Sequence, residues 1–297
     1  MPVTVGHCLA GALQNRWQSY HEQLRNCQEN FSEEAVHELR VATRRLIAQL
    51  VLLNCVIPSD AIEKARRILK RRLVALGDLR DAQVQRGFIG HQTTRFPELV
   101  FMGAWLEHRE RHLARSAAQK VGGFKIRKLE KWISLSIDDL NANAGGFREQ
   151  SQLTSAVLRA TASSFAEVVD RRQAIDLADL RTIHQTRVAF KRFRYMVESL
   201  SPGITGLSKR QLRALAYYQR KMGIIQDLEV MQACVARFLR ENKKSEAVLR
   251  RFCQHLRRRR ARALRSFLKS ADRLFAFWPP AGQRSGQNRD SHPAPDR

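Results

Sequence analysis

The sequence predicts an all-α protein built as two related helical halves. Three observations carry the helical reading. Apolar residues recur at spacings of three and four, as in Ile62, Ala65, Leu69, Leu73 and Leu76. Runs of strictly alternating β-branched residues are missing. Glycine and proline fall mostly between periodic segments, at Pro58, residues 87–97, Gly122 and Gly123, Gly145 and Gly146, and residues 201–206.

About nine helices are expected before Trp278. Ser32, followed by Glu33 and Glu34, marks one helix start, because a serine oxygen accepts a free N–H of the first turn and acidic residues complement the helix dipole. Ser59 with Asp60, and Asp179, are similar starts. The most apolar stretch, LIAQLVLLNCVI at residues 46–57, is interrupted by Gln49 and Asn54 and is too short to span a bilayer, so it reads as a buried helix. Residues 279–297, PPAGQRSGQNRDSHPAPDR, lack apolar periodicity and are expected to form a disordered tail. The helical domain is therefore placed at residues 1–278, with halves of about 1–145 and 146–278.

Composition bounds the function. Among 297 residues, 53 Lys and Arg stand against 28 Asp and Glu, a formal charge of +25, while a hydrophobic fraction of 43% is enough for a core. Such an excess attracts nucleic acid, anionic membrane or phosphate polymers, and charge alone does not choose among them. Five scattered cysteines without a C-x-x-C pair argue against a disulfide framework or zinc site and for a reducing, cytoplasmic setting. The N-terminal MPVTVGHCLAGAL has no basic leading segment and is not read as a signal peptide.

The strongest signal is an internal repeat. VHELRVATRRLIAQL begins at Val36 and IHQTRVAFKRFRYMV at Ile183. At a separation of 147, His37 falls on His184, Arg40 on Arg187, Arg44 on Lys191 and Arg45 on Arg192. LGDLRDAQV and MGIIQDLEV follow at a separation of 146, matching Gly77 with Gly223 and Asp81 with Asp227; Arg67 and Arg213 coincide in this register. Two ordered motifs at nearly one separation indicate two similar halves.

On a helix, positions three, four and seven apart share a face. His184, Arg187, Lys191 and Arg194 therefore form a stripe roughly 15 Å long, and His37, Arg40 and Arg44 a shorter one. Like charges at these spacings cost a few tenths of a kcal/mol per pair, which a linear polyanion would offset. Arginine offers a planar fork to two phosphate oxygens, lysine a compact charge, and histidine a donor whose protonated form phosphates favour. A basic stripe is ordinarily a solvated face; its recurrence at two distant places points to binding. Arg45 and Arg192 lie about 100° away from the neighbouring stripe residues and fit ion pairs within the fold equally well. Gly77 and Gly223, set in helical patterns, suggest close helix packing. Asp81 and Asp227 are expected to pair with an arginine or the motif histidine and hold it.

The elements VHELRVATRRL, LGDLRDAQV, IHQTRVAFKRFRYMVESL and YYQRKMGIIQDLEV together resemble the CHAD family, named for a conserved-histidine α-helical domain. The resemblance covers residues 1 to about 275. It implies two four-helix bundles related by a pseudo-two-fold axis, a basic central cleft that binds inorganic polyphosphate, and association with polyphosphate granules. By motif position, His37, Arg40, Arg44, His184, Arg187, Lys191 and Arg194 would line that cleft; Arg45, Arg67, Arg192 and Arg213 complete the candidate set. Ile47 stands where the second copy has Arg194, and Gln226 replaces the arginine expected from Arg80, so the halves are unequal. The second stripe is expected to grip more strongly. No E-x-E-x-K signature of a triphosphate-tunnel enzyme is found.

Residues 247–273 carry RRRRAR together with Arg250, Arg251, His255, Arg265 and Lys269 on an amphipathic pattern. Three readings stand for it: a solvated last helix, an extension of the polyanion track, or a contact with nucleic acid or anionic membrane. A general nucleic-acid binder is the competing function, although helix-turn-helix, zinc-knuckle and aromatic RNA-binding signatures are missing. Catalysis is not expected: there is no phosphate loop, no nucleophile elbow and no metal constellation, and no cofactor is implied. Since one chain carries both halves, a monomer suffices.

Overall fold

The computed structural model describes residues 4–142, 147–200 and 202–278, and no strand occurs among them. The described chain is all-α. Its helices are α1 (Val5–Glu29), α2 (Glu33–Val56), α3 (Asp60–Ala75), α4 (Gly77–Gln92), α5 (Val100–Gly122), α6 (Arg127–Ala142), α7 (Phe147–Gln173), α8 (Arg181–Ser199), α9 (Pro202–Thr205), α10 (Lys209–Glu241) and α11 (Glu246–Leu268). Short 3-10 turns at Pro97–Leu99, Lys243–Ser245 and Ala271–Ala276 join or end them. This exceeds the expected nine, partly because a break at Leu76 splits one predicted helix into α3 and α4. The predicted tail at residues 279–297 and the Gly145–Gly146 boundary lie outside the described residues. No helix among the described residues is long and apolar enough to cross a membrane, and all five cysteines are free.

Helix starts follow local chemistry. Ser32 caps α2 by accepting from the Ala35 N–H at 3.1 Å, and Ser59 caps α3 through Ala61. Asp179 accepts from the Arg181 N–H, one residue further out than a standard cap, so α8 starts later than expected. A reciprocal Ser208–Gln211 capping box opens α10.

Three cores hold the chain. The first joins α1, α2, α3 and α6 around Leu13, Tyr20, Leu46, Leu50, Leu69 and Ile133, and the end of α5 covers it. The second joins α7, α8, the first half of α10 and the end of α11, and is dense in aromatic rings, with Phe190, Phe193, Tyr218 and Phe267 packed together. The third is built jointly by the two halves: Ile89, Leu99 and Met102 meet Met231, Phe238 and Phe252. The end of α4 and the start of α5 bury apolar faces against α10 and α11, while Leu79 of α4 and Val121 of α5 stay in the first core. Leu153 and Val157 of α7 and Met196 of α8 also reach into the first core, which sets α8 beside α2.

One buried cation fastens the first core. Arg72 donates to the Tyr20 hydroxyl and to the Lys125 carbonyl, both at 2.5 Å, and its guanidinium lies 4.8 Å from the Phe124 ring centroid. Its removal would leave the buried Tyr20 hydroxyl and the partly buried Lys125 carbonyl without this donor. Arg72→Ala is expected to lower unfolding stability by about 3 kcal/mol in denaturant titration, with native helix content in the residual folded fraction.

Candidate functional site

Helices α2 and α8 bury matching faces. Val36, Leu39, Ala42 and Leu46 of α2, and Ile183, Ala189, Phe190 and Phe193 of α8, enter their cores. The basic stripes fall on the adjoining faces, and the fold brings them together. Lys191 of α8 is in electrostatic contact with Arg44 and Arg40 of α2 as well as with Arg187 and Arg194 of its own helix. Burial, reinforced by these four guanidinium groups, pushes its amine down to about 7 from an ordinary 10.5. Arg44 is lowered by burial and feels Arg187 across the cleft. Lys191 and Arg194 both lean on the Tyr195 ring, at 5.5 and 5.1 Å from its centroid.

The paired motif residues do different work. Arg40 is buried, and its Nη1 donates to the Leu73 carbonyl at 2.7 Å. In an unbroken helix that carbonyl would accept from the N–H of residue 77. Arg40 thus closes the C-terminus of α3 at the Leu76 break, a favourable place for a cation. Burial lowers it to about 10, so it stays charged at neutral pH. Its counterpart Arg187 faces α10, where no break occurs: a Cβ on Gly223 would sit 3.7 Å from the Arg187 Nε. The guanidinium lies against Gly223 at a distance that an alanine methyl would also fit. Gly77 meets nothing within 4 Å, so close packing was the wrong expectation there; it starts α4 after the break.

Each motif histidine lies near the residue before the motif aspartate, and of the two only His184 bonds it. His184 Nδ1 lies 2.7 Å from Gln226 Oε1. His37 is lowered by burial and then by Arg80, which Glu33 holds at 3.1 Å. Asp81 and Asp227 do not close ion pairs with arginine or histidine among the described residues, contrary to expectation. They act through space. Both keep exposed surface, yet the cleft walls desolvate both carboxyls and raise them, against the pull of Arg40 on Asp81 and of Arg187 on Asp227. Asp227 also feels Asp81, so the two motifs converge on one cleft.

Four candidates stand apart. Arg192 forms an ion pair with Glu167 of α7, which answers the alternative left open for it. Arg67 lies with Lys64, Lys70, Arg71 and Trp132 in a groove along α3 and α6. Arg213 is exposed near the start of α10, and no contact among the described residues joins it to the cluster. Arg45 is exposed and in electrostatic contact with Arg16 of α1 rather than with Lys191. Periodicity on one helix could not reveal Arg16, Arg80 or Tyr195, which other elements or the far end of the stripe supply.

Chemically, the cleft is a set of donors short of acceptors. The Nε atoms of Arg40, Arg187 and Arg194 are buried without a hydrogen bond. Glu198 is 3.5 Å from Arg194 Nε and partly balances it.

The family model of the CHAD domain matches residues 8–236. Two solved structures share the fold at 18% identity. The CHAD domain from the plant Ricinus communis has a TM-score of 0.63, with 93% of this chain and 91% of that one covered. PptA from Streptomyces chartreusis has a TM-score of 0.68, with 91% and 99% covered. No curated protein sequence matches the chain. With more than half of its length matched by the family model, and with the helix pair that carries the repeat facing across a basic cleft, the chain belongs to the CHAD domain family.

Proposed function

We propose that the chain binds inorganic polyphosphate in the cleft between α2 and α8, as a binding module of polyphosphate granules or polyphosphate metabolism and not as an enzyme. The observation that carries this reading is the convergence of Arg44, Arg187, Lys191 and Arg194 from two separate repeats, with buried guanidinium nitrogens lacking acceptors. Phosphate oxygens would balance that charge on successive turns. The family resemblance supports the same ligand. Nucleic acid is the competing polyanion, but Tyr195 is already covered by Lys191 and Arg194, which leaves no free ring in the cluster for a base to stack on.

Arg187→Gln, Lys191→Gln and Arg194→Gln combined are expected to weaken long-chain polyphosphate binding by about a hundredfold or more. Circular dichroism should stay unchanged. Arg192→Gln should leave affinity intact and cost less than about 1 kcal/mol of stability, since its ion pair is half-exposed. Polyphosphate should displace a bound RNA oligomer at equal phosphate concentration; failure to do so would move the reading to nucleic acid.

Lys191 sets the pH dependence. In the empty cleft it is half-neutral near pH 7, and a bound polyanion raises its proton affinity. Binding at pH 8 should therefore take up a proton, seen as a calorimetric enthalpy that varies with buffer ionisation, and affinity should fall from pH 7 to 9. Lys191→Arg, always charged, should bind without that uptake and hold its affinity at pH 9.

The empty protein should show the mirror effect. The folded-state value of Lys191 lies below its unfolded value, so charging it opposes folding below pH 7 and the opposition is relieved as pH rises towards 10.5. Lys191→Met should raise the melting temperature of the ligand-free protein at pH 6.5 more than at pH 9.5, while weakening polyphosphate binding at both.

A further inference from the structure

A second cationic groove lies on the other side of α10. It is a cavity of about 590 Å³ between α11 and the loop that follows α4, lined by Arg95, Arg251, His255, Arg258, Arg262 and Arg265 among others, with no Asp or Glu in the lining among the described residues. Residues 251, 258 and 265 are seven apart and 262 is four beyond 258, so the α11 arginines form one continuous face. That face runs roughly 21 Å, longer than the stripe on α8.

The groove is held in shape by apolar contacts. Phe96 is buried in the third core, 5.4 Å from the Phe252 ring and 5.1 Å from the His255 ring. It pins the loop to α11 and fixes Arg95, whose guanidinium packs over the Phe96 ring. His255 is lowered by burial and then by Arg95, Arg259 and Arg262, so positive potential fills the groove. The neighbouring Arg260 shows what a structural arginine looks like on this helix: it bonds Glu229 and Gln232 of α10. Among the described residues the groove arginines have no such acidic partners. An adjoining recess, lined by Arg95, Arg259, Arg262, Ile224 and Leu228, carries the basic surface to α10. Gly223 and Asp227, next in sequence to these two apolar residues, face the central cleft. Among the described residues no exposed phenylalanine, tyrosine or tryptophan lines either space, since Phe96 is buried. That favours a ligand recognised by phosphates alone over one recognised by its bases.

We propose that this groove is a second phosphate-chain site, and that a long linear polyphosphate is held at the groove and the central cleft together. The simultaneous engagement rests on the reading of the cleft given above; the groove as an anion site does not. Two linked sites raise the avidity of a long chain without changing that of a short one at either site.

The test uses the full chain with tripolyphosphate, long-chain polyphosphate and an RNA oligomer, followed by calorimetry. Wild type should bind two tripolyphosphates. Arg258→Gln, Arg262→Gln and Arg265→Gln combined should bind one, weaken long-chain binding by about tenfold, and reduce its log–log salt slope by about two. Arg95→Gln, on the opposite wall, should shift long-chain affinity in the same direction without touching α11. Arg127→Gln, Lys128→Gln and Lys131→Gln combined, with the same loss of charge on exposed positions of α6, should change long-chain affinity by less than about twofold. Wild-type stoichiometry and affinity in the groove variants would overturn the proposal. So would an equal loss in the α6 control, or a loss confined to RNA. If instead Arg187→Gln with Lys191→Gln keeps both tripolyphosphate sites while the groove triple loses one, the cleft reading fails and the groove stands.

Discussion

Like charge held at close quarters is the constraint to which the surroundings of α2 and α8 answer. Arg44, Arg187, Lys191 and Arg194 repel one another across a partly dry cleft, and each would be better solvated apart. The helices stay together because their opposite faces are locked into two hydrophobic cores, with Met196 of α8 packed into the first. The repulsion is relieved locally in three ways. Arg40 turns to a backbone carbonyl. Lys191 surrenders part of its charge. Asp81 and Asp227 stand nearby without neutralising any one cation.

The repeat that encodes this arrangement is therefore not a duplication of function. Arg40 and Arg187 share a motif position, yet one donates through Nη1 to a helix-end carbonyl and the other packs against Gly223 without a hydrogen bond among the described residues. The same divergence separates His37, set beside Arg80, from His184, bonded to Gln226. The first copy has turned towards architecture, while the second retains more of the free donors.

Much of this was legible in the chain. Ser32 and Ser59 announced their helices, and apolar periodicity gave the all-α class, since both signals are local. The match of His37 through Arg44 with His184 through Lys191 identified the helices that meet. Long-range outcomes were hidden. Helical phase set Arg192 about 100° off the stripe and left its role open; the position of Glu167 on α7 makes it an ion-pairing residue. Gly77 and Gly223 match in the alignment, but one follows a helix break and the other lies within a continuous helix. The shared third core was equally hidden, because an amphipathic pattern on α4 or α5 says that a face is buried and not which half buries it.

The break at Leu76 has no equivalent in the second half, where α10 runs for 33 residues without interruption. One wall of the cleft is therefore backed by a rigid strut whose two ends are set in different cores. The other is backed by two shorter rods meeting at a joint that Arg40 of α2 bonds and that Leu76 and Leu79 anchor in the first core. If the gap must widen or narrow to fit its occupant, the strain should fall on the jointed side.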